Sequence, residues 1–289
     1  MTVIKVPATS ANLGPGFDSI GMAVAVYLEL EILGPSEEWF IDHEMGEAIP
    51  SDDQNLIIQT AILTSATPLT PQRLKMTSAI PPARGLGSSS AAIVAGIELA
   101  NHLADLQLTT DEKIQIASRI EGHPDNVMPA ITGDLAIGTM INQEVIWKTT
   151  DFPDCALIVT VPERELLTSA SRAVMPESLS LKDAVEGSAV ANVMVAALYQ
   201  GDIETAARLM EKDVFHEPYR QTLIPELNQI RQLANQEGAY GVYLSGAGTT
   251  IMTLAKPILA ETIQERIKDE FPDCHVFLTT IDKEGSRIE

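Results

Sequence analysis

Twelve residues, PPARGLGSSSAA at 81–92, constrain this chain more than any other stretch. They run straight into the apolar segment IVAGIELANHLADL, where Ile93, Ile97, Ala100 and Ala104 recur at helical spacing. Glycine supplies backbone conformations that other residues resist, and serine ahead of a helix supplies a cap. One reading is therefore a capped helix start. The other is an anion cradle. Gly85 and Gly87 would let the backbone approach a ligand, and the helix would offer unpaired N–H groups and the positive end of its dipole. Ser88, Ser89 and Ser90 would add hydroxyls suited to phosphate or to a Mg²⁺ shell. The Walker A pattern is absent, because the chain has no Gly-Lys dipeptide, and G-L-G-S-S-S does not match the dinucleotide fingerprint. Backbone physics leaves both readings standing.

The rest of the chain reads as α+β. Residues 22–33 (MAVAVYLELEIL) alternate with a period of two, which predicts a strand with one buried face. The preceding VPATSANLGPGFDSIG, rich in Pro, Gly, Ser and Asn, predicts a long loop or turn. NLIIQTAILTS predicts a helix capped by Asp52 or Asp53, and LKMTSAIPP a strand closed by prolines. TTDEKIQIASRIEG predicts a helix opened by a Thr109/Glu112 capping box and stopped at Gly122. LAIGTM and EVIWKT predict strands. After about residue 150, CALIVTVP predicts a buried strand, ERELLTSASR a polar loop, and 180–215 and 224–236 helices. GVYLSGAGTTIMTLA reads strand, glycine turn, strand, and Pro257 suits the first turn of a closing helix before the strand HVFLTT. The break near 150 divides the chain into domains of 1–153 and 154–289.

Composition narrows the partners. The formal charge is −21, with 40 acidic against 19 basic residues, which argues against a nucleic-acid or anionic-membrane surface. Local cations in a cleft could still hold a small anion. Two cysteines, Cys155 and Cys274, suit a reducing, cytoplasmic setting, although a disulfide between them stays open. No C-x-x-C or Cys/His cluster suggests structural zinc. No apolar stretch reaches the length of a membrane span, and MTVIKVPATSANLG at the start has no long apolar run of the kind a secretory signal carries.

A second constellation follows the predicted helix at 110–121. Glu121 faces the negative end of the helix dipole, an unfavourable placement by about 0.3–1 kcal/mol that a bound cation would reverse. Asp125 follows four residues on, and Mg²⁺ takes one or two carboxylates with phosphates and water. The alternative is a solvated acidic helix end. His123 reads either as an acid/base or as a strut in a turn. His216, in VFHEPYR, reads as structural.

Together these stretches resemble a known family. PPARGLGSSSAA resembles the phosphate-binding signature of the GHMP kinase superfamily. VPATSANLGPGFDSIGMAV, EGHPDNVMPAITGD, and the arginine segments LLTSASRAVMP and HEPYRQTLIP resemble the motifs of its homoserine kinase family, and YLSGAGTTI the superfamily's C-terminal motif. The resemblance implies a two-domain GHMP kinase fold, with a ribosomal protein S5 domain 2-like N-terminal domain and a ferredoxin-like C-terminal domain around a shared cleft. It implies transfer of the ATP γ-phosphate to L-homoserine, with Mg²⁺ as cofactor, in threonine biosynthesis, and a homodimer. It implies that Asn12, Asp18, His123 and Asp125 contact the amino acid, with Asp125 and His123 the candidates for a catalytic role. It further implies that Arg172 and Arg220 bind the substrate carboxylate, as guanidinium groups do bidentately. Pro82, Ala83, Arg84, Gly85, Leu86 and Gly87, with Ser88, Ser89, Ser90, Ala91 and Ala92, would wrap the nucleotide phosphates, and Asn55 would touch the nucleotide. Glu121 with Ser88 or Ser89 would hold Mg²⁺, and Gly246 and Gly248 would let the C-terminal turn approach the substrate. No dedicated base is implied. The chain departs from the family at Gly133-Asp134, where Gly-Gly is usual, and in its short Glu121–His123 spacing.

Overall fold

The computed structural model describes residues 2–289. In chain order, the first half holds β1 (Thr2–Ala11), β2 (Ile20–Pro35), β3 (Phe40–Asp42), α1 (Leu56–Thr64), β4 (Gln72–Ser78), α2 (Ser88–Leu103), α3 (Thr110–Glu121), α4 (Val127–Thr132), β5 (Leu135–Ile141) and β6 (Glu144–Thr150). The second half holds β7 (Ala156–Pro162), α5 (Thr168–Ala173), α6 (Leu181–Tyr199), α7 (Ile203–Met210), α8 (Glu217–Arg220), α9 (Glu226–Gln236), β8 (Gly241–Leu244), β9 (Ile251–Ala255), α10 (Pro257–Glu270), β10 (Cys274–Thr279) and β11 (Arg287–Ile288).

The alternating stretch becomes β2, which pairs along one edge with β1 and along the other with β4 at one end and β5 at the other. The gap between β4 and β5 is filled by the chain after β10, where Ala25 N–H donates to Thr280 O and Asp282 N–H to Ala23 O. The polar stretch before β2 is not all loop. Residues 6–11 extend β1, with a register shift at Pro7/Ala8. Their side chains are small and buried, so the strand is made by long-range pairing rather than by β-propensity. Proline at an irregularity is tolerated because no regular ladder N–H is required there.

Local signals set most helix ends. Thr109 and Glu112 form the reciprocal capping box at the head of α3, and Gly122 ends it in the left-handed region. α1 is capped by Asn55, not by Asp52 or Asp53. The helix starts at Leu56, which leaves the aspartates too far upstream, and Asp52 instead accepts the N–H of Gln54 in the preceding turn. The ERELLTSASR stretch contains the short helix α5.

The second sheet runs β10-β7-β9-β8, all antiparallel. Numbered within its own half this is the order 4-1-3-2 of a ferredoxin-like unit. β7 is apolar on both faces. Leu157, Val159 and Val161 turn toward the core shared with the first sheet, and Ile158 toward a second core under α9 and α10. Both cysteines are free thiols. Among the described residues no helix is long and apolar enough to cross a membrane.

α2 carries a buried carboxylate, Glu98. Both of its oxygens lie 2.8 Å from Lys113 Nζ on α3, and Ser286 Oγ donates to one of them at 2.7 Å. Removing the ammonium strands a buried charge. Lys113→Ala is therefore expected to lower unfolding free energy by about 3 kcal/mol, read from urea denaturation. A change below about 1 kcal/mol would show that the pair is neutral to folding.

Candidate active site

The loop before α2 is held by its carbonyls. Ala83 O accepts from Leu166 N–H at 3.1 Å, Arg84 O from Thr250 N–H at 2.9 Å, and Gly85 O from Ser245 Oγ at 2.6 Å. All three donors belong to the C-terminal half. A trans peptide points its N–H opposite to its carbonyl, so the N–H groups of Arg84, Gly85 and Leu86 are turned the other way, without a backbone acceptor. φ is positive at Ala83, Gly85 and Gly87 but not at Arg84 or Leu86. That alternation makes a nest of converging N–H groups, an anion-binding concavity. A Cβ at Gly85 would collide with Ser245 O, and one at Gly87 with Thr9 Oγ1, so both positions need glycine for space as well as for φ.

The serines do not cap α2. Its N-cap is Gly87, at φ 68°, with no side-chain cap bond, so the serines occupy the first turn itself. Their hydroxyls are thereby released from capping. Ser90 Oγ donates to Glu121 Oε1 at 2.9 Å. Ser88 and Ser89 line the cavity. Arg84 contributes its backbone. Its guanidinium donates to the carbonyls of Pro82, Pro162 and Glu163 and pairs with Glu165, which fastens the loop to the end of β7.

A buried chain of hydroxyls stands behind Gly85. Ser10 Oγ lies 2.8 Å from Ser245 Oγ and 3.0 Å from Tyr243 Oη, all in fully buried side chains. A carbonyl only accepts, so Ser245 donates to Gly85, Ser10 to Ser245, and Tyr243 to Ser10. Burial keeps the Tyr243 phenol protonated by pushing it far above its ordinary value.

The nest opens on a cavity of about 140 Å³ that brings together Asn12, Asp18, Glu121, His123, Asp125, Arg172 and Arg220 with the glycine turn at Gly246 and Gly248. Asn12 Oδ1 accepts the N–H of Asp18 at 3.0 Å, and its Nδ2 donates to Gly246 O at 3.1 Å. Asp18 and Arg172 form a two-point ion pair at 2.8 and 3.1 Å. Arg220 is 2% exposed and has no carboxylate partner among the described residues. Burial, together with the nearby Arg172, lowers its guanidinium to about 10. The Asp18 and Asp125 carboxylates and the His123 ring lie within 4.8 Å of one another. Asp125, 2% exposed, takes the N–H of Asn126 at 3.1 Å and meets His123 Nδ1 at 2.5 Å. Glu121 is half-buried and has no Lys or Arg partner among the described residues. Burial pushes its carboxyl above the usual range, against the pull of His123 and Ser90.

A second cavity of about 420 Å³ adjoins the first through Ala83, Ser88, Ser89 and Thr168. Asn55, Met45, Ile49, Ile57, Met76 and Ala92 line it. The Asn55 amide is already engaged, accepting from Ile57 N–H and donating to Pro50 O at 2.7 Å, so at 2% exposure it shapes this wall rather than reaching into it. Leu86 and Ala91 are core residues beneath the loop, and Pro82 faces a separate groove. Asn126 and Thr168 line the cavity without having been singled out. Both lie inside motifs quoted above, but their residue types alone carry no chemistry that marks them.

Burial disfavours the charged His123 ring, and the Asp125 carboxylate beside it outweighs that, so its titration lies above the ordinary imidazole value. With the folded value raised, this pair stabilises the fold at low pH and the contribution is lost as pH rises through the raised value. Asp125→Asn leaves burial unopposed by that charge and is expected to lower the His123 midpoint, read by NMR of its ring proton. An unmoved midpoint would remove Asp125 as the cause.

The GHMP kinases N terminal domain family matches residues 55–134, and the GHMP kinases C terminal family matches residues 194–273. The homoserine kinase of Listeria welshimeri is 52% identical over 285 residues, with 99% of each chain covered. A solved Listeria monocytogenes structure is 46% identical and has a TM-score of 0.90, covering 100% of this chain and 99% of its own. The solved homoserine kinase of Cytophaga hutchinsonii is 25% identical with a TM-score of 0.86, covering 100% and 97%. The architecture of two sheets around a cleft is thus the GHMP kinase fold, and with half its residues shared along the full length, the chain belongs to the homoserine kinase family.

Proposed function

We propose that this chain transfers the γ-phosphoryl group of ATP to the side-chain hydroxyl of L-homoserine, giving O-phospho-L-homoserine for threonine biosynthesis in the cytoplasm. The observation that carries the substrate reading is Arg220, a buried guanidinium lining the cavity with no carboxylate in ion-pair contact among the described residues, although Asp18, Asp213 and Asp125 lie near enough to favour its charge. A buried unpaired cation is costly, and a substrate carboxylate relieves it. Arg172 adds a second fork, and Asp18 and Asp125 supply acids for the ammonium. The cavity thus holds both signs that a zwitterionic amino acid needs. Mevalonate, with a carboxylate and no ammonium, would leave the acids unexplained.

The N–H nest and the first turn of α2 take the phosphates. The apolar second cavity takes the nucleoside, with Asn55 in its wall. Glu121 with Ser88 or Ser89 would hold Mg²⁺. The fit rests on a half-buried carboxylate that has no Lys or Arg partner among the described residues and sits at the negative end of α3. The ion supplies charge neutralisation on the phosphates. Asp125 is engaged by His123 and by the N–H of Asn126, so it orients the amino acid. Alignment and electrostatics, with no dedicated base, supply the catalysis.

ADP release from MgATP, compared with L-homoserine, mevalonate, galactose and no acceptor, tests the assignment. Turnover with homoserine alone is expected, and turnover only with another alcohol would overturn the substrate. Arg172→Ala is expected to raise the homoserine KM about tenfold or more while the ATP KM stays within about twofold. Equal losses for both substrates would place Arg172 in the fold instead. A proton and Mg²⁺ compete for Glu121, so the Mg²⁺ concentration for half-maximal activity is expected to fall as pH rises through its raised value. Glu121→Gln is expected to flatten that dependence, and an unchanged Mg²⁺ titration would remove the metal role.

A further inference from the structure

His216 has two ring nitrogens with different neighbours, and those neighbours assign its proton. Nε2 lies 2.9 Å from Gly14 O and 3.5 Å from the buried Asp213 carboxylate, both acceptors, so Nε2 carries the hydrogen. Nδ1 lies 3.3 Å from Arg220 Nη1, which can only donate, so Nδ1 is a bare lone pair. The ring is fully buried and stacks on Phe17 at 5.4 Å. Phe17 in turn lies under both guanidinium groups, 5.2 Å from that of Arg220 and 5.7 Å from that of Arg172. Asp213 fixes the segment by accepting the N–H groups of Phe215, His216 and Glu217.

Arg220 is thereby gripped from one side. The two hydrogens of Nη1 go to Gly246 O, at 2.8 Å, and to His216 Nδ1. Nε points at Ser171 O over a longer 3.5 Å. Nη2 has no protein acceptor among the described residues. A guanidinium is a rigid plane, so anchoring Nη1 fixes the direction of Nη2.

We propose that His216 is a positioning residue for the substrate carboxylate: its Nδ1 holds Arg220 from behind and sets where the free end of the guanidinium points. The inference rests on Arg220 being a carboxylate ligand. It also differs from a plain structural strut, which would depend on the other nitrogen and its bond to Gly14.

Two substitutions separate these roles. An asparagine amide reaches the position of Nδ1, whereas a glutamine amide reaches that of Nε2. His216→Gln is expected to raise the homoserine KM about tenfold with the ATP KM within about twofold, and His216→Asn to stay within about threefold of the parent for both. The reverse order, equal effects of the two variants, or a joint rise of both KM values would overturn the proposal. Nitrogen NMR of the unsubstituted protein reads the tautomer without any substitution. A hydrogen on Nε2 and a bare Nδ1 are expected, and a proton on Nδ1 would overturn the proposal even if the variants failed to fold. Arg220→Ala serves as the separate check. An unchanged homoserine KM there would remove the carboxylate reading itself, whereas an effect at Arg220 with none in His216→Gln would remove only the role of His216.

Discussion

Three consecutive carbonyls, at Ala83, Arg84 and Gly85, are bonded to donors from the other half of the chain, and the site depends on that seam. Each bond turns one peptide so that its N–H faces away from the C-terminal half. The loop therefore does not need a ligand to assume its concave shape. Preorganised donors cost no rearrangement when an anion arrives. The Arg84 side chain reinforces the seam by reaching the end of β7. The core shared between the two sheets lies beneath it, so the halves are coupled by apolar packing as well as by hydrogen bonds.

The seam also explains why the C-terminal motif YLSGAGTTI is needed by a loop so distant in sequence. Tyr243, Ser245 and Thr250 all come from it, and Ser10 from β1 completes the buried hydroxyl chain. In such a chain the carbonyl at one end sets the direction of every hydroxyl behind it, and only Tyr243, which also faces Met22 Sδ at 3.9 Å, has a second acceptor. The same stretch offers Gly246 O to both Asn12 and Arg220. One glycine turn thus ties the loop before α2 to the Asn12 and Arg220 side of the cleft.

What was legible in the sequence was local. The Thr109/Glu112 box, the Gly122 stop, the alternation in β2 and the glycine turn before β9 are each written within a few residues. What was not legible depends on contacts far along the chain. Residues 6–11 look like loop because their side chains, mostly small and including Pro7, make sense only against β2 and the C-terminal half. The serines look like caps because nothing nearby shows that Gly87 takes that place in a left-handed conformation. The hold of the Arg84 guanidinium on the end of β7 is not legible until β7 is placed beside it. Arg172 and Arg220 came from family resemblance, since no spacing rule would pair residues from α5 and α8 across one cavity. His216 reads as structural in the sequence, and only its neighbours distinguish its two nitrogens.

The resting pairing of Asp18 with Arg172 has a consequence for how the pocket fills. A zwitterion that enters between them replaces one internal ion pair by two external ones, and the net charge of the site does not change. Such an exchange moves few counter-ions, so it is shielded from ionic strength and from the strongly acidic field of the whole molecule. A ligand carrying only one of the two charges would break the pair and leave half of it orphaned. The Asp18–Arg172 contact would thereby disfavour ions that match only half of it.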